Sequence, residues 1–195
     1  MIVGKRGSGK TTLLDNLIEH LATKNNFYFT HNHTISEKVK ANFEVTNDWT
    51  ELEMLVATQK RIKAENNGNL PEICIVFEDF LYDRRSLHHP LIKELTMSGK
   101  HLNVTLIFVV QVIQDWPPFL RHNIDYLFCH RDTSLANTTR LYQQHFSIIP
   151  TLNQFTDIYH HCTDNYGVLV LDNTSKAKHD MKNSVLWFKA RVDSN

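Results

Sequence analysis

The sequence has 195 residues, of which 42% are hydrophobic and 22% are charged, as expected for a globular protein with a single core. Its 21 Lys and Arg residues balance its 21 Asp and Glu residues, which excludes an overall positive charge of the kind that coats nucleic acid. The apolar runs are too short to span a membrane, and no signal peptide precedes the first motif. The three cysteines are scattered and include no Cys-x-x-Cys pair, which argues against a disulfide framework and against a zinc site.

Apolar strand-like runs alternate with amphipathic helical segments along the chain. This alternation predicts an α/β fold whose mostly parallel central sheet is flanked by helices on both faces. Helices are predicted at residues 10–24, 49–65 and 87–97. Strands are predicted at residues 1–3, 27–30, 43–45, 73–77, 104–110, 126–129, 167–171 and 185–188. Because no repeat, low-complexity tract or linker interrupts the pattern, residues 1–195 are expected to form one domain.

The first short strand leads into a glycine-rich loop that matches the phosphate-binding motif G-x-x-x-x-G-K-[ST], the P-loop, at every fixed position. Glycines in such a loop let backbone N–H groups turn toward phosphate oxygens, and the next helix directs its positive dipole at the same anion. Lys10 is predicted to reach the β- and γ-phosphates of ATP, and Thr11 to hold Mg²⁺. The predicted nucleotide-binding residues are Gly4, Lys5, Arg6, Gly7, Ser8, Gly9, Lys10, Thr11 and Thr12.

The apolar strand at 73–77 is followed by two carboxylates, Glu78 and Asp79, in the pattern of a Walker B element. A hydrolytic P-loop enzyme needs one acid near Mg²⁺ and another that orients and deprotonates water. We expect Glu78 to contact Mg²⁺ and Asp79 to act on water. The alternative, in which Asp79 binds the metal with help from Asp83, stays open.

The strand at 104–110 is also apolar and ends in Gln111. An amide at this position could simply cap the next turn. Beside a P-loop, however, it is a candidate sensor that donates a hydrogen bond to the γ-phosphate or to the attacking water.

The P-loop, the acidic strand and the Gln111 strand together resemble the HerA–FtsK superfamily of P-loop ATPases. Within that superfamily the chain is similar to the packaging ATPases of poxviruses, giant viruses and related large DNA viruses. The more specific marks are Ser98-Gly99-Lys100-His101, Pro117-Pro118, Arg121-His122-Asn123-Ile124-Asp125-Tyr126 and Tyr166-Gly167-Val168-Leu169-Val170-Leu171-Asp172. One departure is Glu78, since the family usually begins its acidic pair with Asp.

The resemblance implies a RecA-like core in which the Gln111 strand lies between the P-loop strand and the acidic strand. It implies a homo-oligomeric ring, a pentamer or a hexamer, that drives double-stranded DNA into a preformed capsid and meets portal or vertex proteins. The expected location is the viral assembly site in the host cytoplasm, with the virion as a second location. Arg121 is the first candidate for an arginine that acts on a neighbouring subunit's phosphate, with Arg131 and Lys100 as alternatives.

Two other functions fit the same motifs. A small-molecule or nucleotide kinase shares the P-loop, but such kinases usually need an arginine-rich lid, and the only close arginine pair here is Arg84-Arg85. A non-hydrolysing ATP-binding assembly factor is the other alternative, because the order of the acidic pair is unusual. Phosphate release without an added acceptor separates the motor from both alternatives.

Overall fold

A computed structural model describes residues 1–21, 25–30, 37–65, 70–78, 84–112, 116–175 and 180–191. The chain forms two compact units. The first unit comprises Met1–Leu21, Val110–Asp115 and Ile124–Asn195, and the second comprises Ala22–Val109 and Trp116–Asn123.

Strands and helices alternate over most of the chain, as the periodicity predicts. The strands are β1 (Ile2–Val3), β2 (Asn25–Thr30), β3 (Glu44–Thr46), β4 (Ile73–Glu78), β5 (Val104–Val110), β6 (Tyr126–Cys129), β7 (Gly167–Asp172) and β8 (Val185–Lys189). The helices are α1 (Lys10–Leu21), α2 (Glu37–Asn42), α3 (Trp49–Glu65), α4 (Pro90–Ser98), α5 (Pro118–Arg121), α6 (Leu135–His145), α7 (Leu152–Cys162) and α8 (Met181–Ser184). Short 3₁₀ turns lie at Arg84–His88, Gly99–Leu102 and Asp164–Tyr166.

The second unit is built on parallel strands in the order β3-β2-β4-β5. Residues 73–77 of β4 are buried throughout, as expected for a strand covered on both faces. Phe29, Phe77, Phe108 and Trp49 form a connected group of aromatic rings around these strands. The register aligns Glu78, the last residue of β4, with Thr30 of β2 and Val109 of β5.

The first unit contains the strand order β1-β6-β7-β8. β1 and β6 are parallel, whereas β7 and β8 are antiparallel additions. Val110, the last residue of β5, also belongs to this unit, and its carbonyl accepts a hydrogen bond of 3.1 Å from the N–H of Gly4. At Val110 the Gln111 strand thus lies next to the residue that follows the P-loop strand β1.

Differences from the sequence predictions concern helices and element ends. The helix predicted at 87–97 begins only at Pro90, because His89 caps its first turn through Nδ1 at 3.3 Å from the Leu91 N–H and a proline suits the first helical position. Helices α2, α5, α6, α7 and α8 were not predicted. Residues 22–24, the predicted end of the first helix, lie outside the described residues. No helix in the described ranges is both long and apolar enough to cross a bilayer. The single domain stays a prediction.

Candidate nucleotide-binding site

The P-loop connects β1 to α1 in the first unit. Gly7 and Gly9 have φ angles of +75° and +98°, a backbone region that side chains with a Cβ adopt at a cost. Lys10, Thr11 and Thr12 form the first turn of α1, where N–H groups have no partner inside the helix. These N–H groups and the helix dipole make the loop suited to an anion.

The space around the loop fits a phosphate group. A Cβ built on Gly7 would meet nothing within 4 Å, so the loop is open there. The Ser8 hydroxyl is buried and has no hydrogen-bond partner among the described residues, which leaves a polar atom that a ligand could satisfy. At Gly4, by contrast, a Cβ would lie 2.4 Å from Ser8 Oγ and 2.6 Å from His130 Cβ, so only glycine allows this close approach.

Two lysines of the loop are held in place by oxygen atoms. Lys10 Nζ donates to the Lys5 carbonyl at 2.9 Å. Lys5 Nζ lies 2.9 Å from Asp132 Oδ1 and also donates to Thr133 Oγ1 at 2.9 Å. Burial alone would raise the pKa of Asp132, but hydrogen bonds from the Ser134 N–H and from Lys5 and Asn137 outweigh it and hold that pKa below its usual value. The Lys5 side chain therefore ties the loop to the segment after β6.

His130 forms the floor of the loop, and sequence analysis missed it. It is 3% exposed, its N–H donates to the Val3 carbonyl at 2.8 Å, and its ring lies against Gly4 and Gly9. Burial, and next the charge of Lys10, lower the pKa of His130 to about 4, although the Ser8 backbone acts in the opposite direction. The imidazole is therefore neutral at neutral pH. A polar residue directly after the strand beside β1 was the available signal.

Gln111 lies beside the loop, as the sensor hypothesis requires. It directly follows β5 and lines a small cavity with Gly4, His130, Asp132 and Tyr159. Tyr159 shapes this cavity, because its hydroxyl donates to the His130 carbonyl at 2.6 Å and accepts from the Asp132 N–H at 2.8 Å. Gln111 is exposed, so its amide can turn toward a ligand. The sensor role itself stays a prediction.

Glu78 ends β4 in the second unit, and a partner fixes its carboxylate. The hydroxyl of Tyr28, a buried residue of β2, donates to Glu78 Oε2. In the sheet register Glu78 aligns with Thr30 on one side and Val109 on the other. Tyr28 was not recognised from sequence, since its contact depends on strand pairing. Asp79 and Asp83 lie outside the described residues.

The three candidates for a cation that acts across subunits differ in their surroundings. Arg131 pairs with Asp164 of the same chain at 3.0 Å. Arg121 ends α5, is half-buried, and has a buried Nε without a hydrogen-bond partner among the described residues. Lys100 is exposed in the 3₁₀ turn after α4. Arg131 is thus already engaged, and the preference for Arg121 stays a prediction.

A metal site made only of protein side chains is not found among the described residues, where no group of three or more His, Cys, Asp or Glu side chains could hold an ion. A P-loop enzyme does not need one, because Mg²⁺ takes ligands from the nucleotide as well as from the protein. Thr11 is exposed at the start of α1, which leaves its hydroxyl accessible to such an ion.

Comparison with known proteins gives a family and a fold. The family described as Poxvirus A32 protein matches residues 1–183. Uncharacterized protein L437 of Acanthamoeba polyphaga mimivirus is 26% identical, and the match covers 98% of this chain and 72% of that protein.

Two solved structures illustrate the fold. One is the genome packaging NTPase B204 from Sulfolobus turreted icosahedral virus 2, in complex with ATP-gammaS, with a TM-score of 0.66 at 13% identity. The match covers 98% of this chain and 96% of the B204 chain. The other is the cytoplasmic domain of the Thermomonospora curvata type VII secretion ATPase EccC, with a TM-score of 0.64 at 17% identity. The match covers 99% of this chain and 26% of the EccC chain. At these identities the likeness shows the fold alone, and the predicted α/β fold of a P-loop NTPase is confirmed.

Proposed function

The chain belongs to the Poxvirus A32 protein family, and on that premise we propose that it is the ATP-hydrolysing subunit of a motor that translocates double-stranded viral DNA into a preformed capsid. The observation that carries the proposal is the complete P-loop, whose open loop, helix start and buried Ser8 hydroxyl fit a phosphate. The fold shared with B204, a genome packaging NTPase, supports it.

ATP would be held by the loop residues 4–12. Backbone N–H groups at the start of α1 bind phosphate oxygens. Lys10 gives up its hydrogen bond to the Lys5 carbonyl and donates to oxygens of the β- and γ-phosphates instead. Because the His130 ring below is neutral, Lys10 supplies the positive charge on this side of the loop. Thr11 and Glu78 would hold Mg²⁺, which when bound neutralises charge on the phosphates.

Hydrolysis needs a positioned water. We assign Asp79 to orient and deprotonate it, and Gln111 to hydrogen-bond the γ-phosphate or that water. Glu78 is oriented by the Tyr28 hydroxyl, so its carboxylate has a defined direction before any ion arrives. Arg121 would stabilise charge on the phosphate of a neighbouring subunit.

The assembled form in this proposal is a homo-oligomeric ring, a pentamer or hexamer, around double-stranded DNA. It would dock on portal or vertex proteins of the capsid at the viral assembly site in the host cytoplasm, and accompany the virion as a second location. Since the sequence has no net charge, DNA must be gripped by local basic groups. Lys60 and Lys63 of α3 are poorly suited to this grip, because Lys60 pairs with Glu94 and Lys63 donates to the His101 carbonyl.

The test is phosphate release from ATP and Mg²⁺ by the purified chain, without an acceptor, in the presence and absence of double-stranded DNA. We expect turnover that DNA stimulates. Lys10→Ala should lower turnover by about 100-fold or more, because it removes a charge that acts on the transferring phosphoryl group. Lys93 is an exposed lysine of α4, so the control variant Lys93→Ala should keep the turnover and the thermal unfolding of the wild type.

Other results would favour the competing functions. Phosphate transfer only when a hydroxyl acceptor is added would indicate a kinase. Binding of ATP without turnover in the assembled protein would indicate an assembly factor. ATP turnover by a protein that does not bind DNA and is not stimulated by it would contradict the translocase function and leave an ATPase with another cargo.

A further inference from the structure

A strained turn lies at the edge of the P-loop. Residues Asp164–Tyr166 form the 3₁₀ turn that joins α7 to β7. Asn165 and Tyr166 have φ angles of +48° and +60°, and among the described non-glycine residues only Asn103 shares this left-handed region. Asparagine tolerates it, but a bulky tyrosine there is an outlier. Backbone strain of this kind tends to be kept where a side chain must be presented for binding.

Two contacts and one tightly packed glycine lie on either side of this turn. Arg131 Nη1 lies 3.0 Å from Asp164 Oδ1, and Trp187 Nε1 of β8 donates to the Cys162 carbonyl at 2.7 Å. A Cβ built on Gly167 would lie 2.2 Å from the Cys162 carbonyl oxygen and 2.8 Å from Trp187 Nε1, so the chain is tightly packed where it enters β7. The backbone is therefore packed on both sides of Tyr166.

The Tyr166 ring stands beside the loop with much of its surface open. A Cβ on Gly9 would lie 3.5 Å from Tyr166 Cδ1 and 3.5 Å from His130 Cε1, so Gly9 is flanked by both rings. His130 is buried, whereas Tyr166 is 67% exposed. All of these residues belong to the first unit. An exposed aromatic ring next to a phosphate loop offers a flat apolar surface where the rest of a nucleotide leaves the loop.

We propose that Tyr166 is the stacking platform for the purine base of the bound nucleotide. The inference rests on the proposed function in one respect, that the P-loop binds ATP. Stacking on an aromatic face is favourable for any base because every base has a π-face, and it removes apolar surface from water. The strain at Tyr166 is then the cost of holding the ring ready before the nucleotide arrives.

The experiment compares binding of ATP with binding of inorganic tripolyphosphate, by calorimetry with Mg²⁺. Tyr166→Gly removes the ring and accepts a φ of +60° without strain, so this variant should fold with unchanged or higher thermal stability. We expect it to lose about 5- to 150-fold in affinity for ATP. Its affinity for tripolyphosphate should equal that of the wild type. Tyr166→Phe, which keeps the stacking face, should bind ATP like the wild type.

Tyr126→Ala is the matched control, since Tyr126 is an exposed tyrosine of the same unit at the start of β6. It should leave both affinities unchanged. Equal loss of ATP and tripolyphosphate affinity in Tyr166→Gly would overturn the proposal, because the ring would then shape the loop or contact phosphate. Unchanged ATP affinity would also overturn it while leaving ATP binding by the P-loop intact. A wild type that binds neither probe would contradict the proposed function as well.

Discussion

His130 shows how one residue sets the electrostatics of the loop. Its ring underlies Gly4 and Gly9, and burial together with the nearby Lys10 lowers its pKa to about 4. A protonated imidazole at this position would repel the charge of Lys10, and its own charge would lose hydration because the ring is buried. A neutral ring avoids both costs at neutral pH, which makes acidification the condition that should disturb the loop.

The residue-scale prediction concerns stability in acid. The folded-state pKa of His130 lies below the value of 6.5 expected for the unfolded chain, so the unfolded state binds more protons between pH 6.5 and about 4. Its contribution to stability is thus complete above pH 6.5 and is lost as the pH falls toward 4. His130→Phe removes this titration, so between pH 6.5 and 4.5 its free energy of unfolding should fall less than that of the wild type by about 2 to 3 kcal/mol.

The measurement is urea unfolding followed by circular dichroism at several pH values. His122→Phe is the control, since His122 is exposed after α5 and should follow the wild-type curve. If His130→Phe and the wild type lose stability in parallel below pH 6.5, His130 is not held neutral by its surroundings.

At the scale of elements, two helices that were missed from sequence hold the segment around the loop. Helix α6 is capped by Ser134, whose Oγ accepts from the Asn137 N–H at 3.4 Å, and α7 by Thr151, whose Oγ1 accepts from the Gln154 N–H at 3.2 Å. Helix α7 carries the buried Tyr159, which hydrogen-bonds both sides of the His130–Asp132 segment. Stability of α7 therefore supports the floor of the nucleotide site.

The element-scale prediction is that Thr151→Ala lowers stability without changing the chemistry. Loss of an N-cap hydrogen bond costs about 1 kcal/mol, which for a chain of this size lowers the unfolding midpoint by about 2 to 4 °C. Differential scanning calorimetry measures this shift. Thr151→Ser should restore most of the stability, because serine caps as well as threonine does, and ATP turnover at 25 °C should match the wild type in both variants. An unshifted midpoint in Thr151→Ala would show that this cap contributes nothing.

At the scale of the whole molecule, the proposed motor depends on contacts between copies. The equal numbers of acidic and basic residues give no long-range attraction to DNA, so a ring that encloses DNA is the arrangement in which few basic contacts suffice. Arg131 is occupied by Asp164 of its own chain, and Arg121 is half-buried at the end of α5. These surroundings favour Arg121 as the residue to test first across a subunit interface.

The prediction at this scale is that turnover is shared between subunits. Specific activity should rise with protein concentration, because an arginine supplied by a neighbour is worth about 10³ to 10⁵ in rate. Arg121→Ala and Lys10→Ala should each be inactive alone. Mixed rings contain interfaces where an intact Lys10 faces an intact Arg121, so phosphate release should recover on mixing.

Arg140 is an exposed arginine of α6, and Arg140→Ala is the matched control. This variant should be active by itself at every concentration where the wild type is active. Subunit exchange is verified by native mass spectrometry of the mixture. If mixed rings form and stay inactive, Arg121 has no part in a neighbour's site and Lys100 is the next residue to test.

Local patterns of residues were enough to identify several features of the candidate site. The P-loop, the acidic end of β4 and Gln111 were found because a phosphate loop and an apolar strand with a polar end are local patterns. The capped starts of α6 and α7 were also written locally, as Ser134 and Thr151 before helical segments, although they were not recognised.

Contacts between residues that are far apart in the chain could not be predicted in this way. Tyr28 meets Glu78 because β2 and β4 pair in parallel, and His130 reaches Gly4 because β6 pairs with β1. Arg131 is taken by Asp164, and Tyr166 lies against Gly9, through the packing of α7 and β7 in the first unit. Parallel strands are joined by long crossovers, so their partners are far apart in the chain, and the periodicity of a segment carries no information about which strand lies beside it.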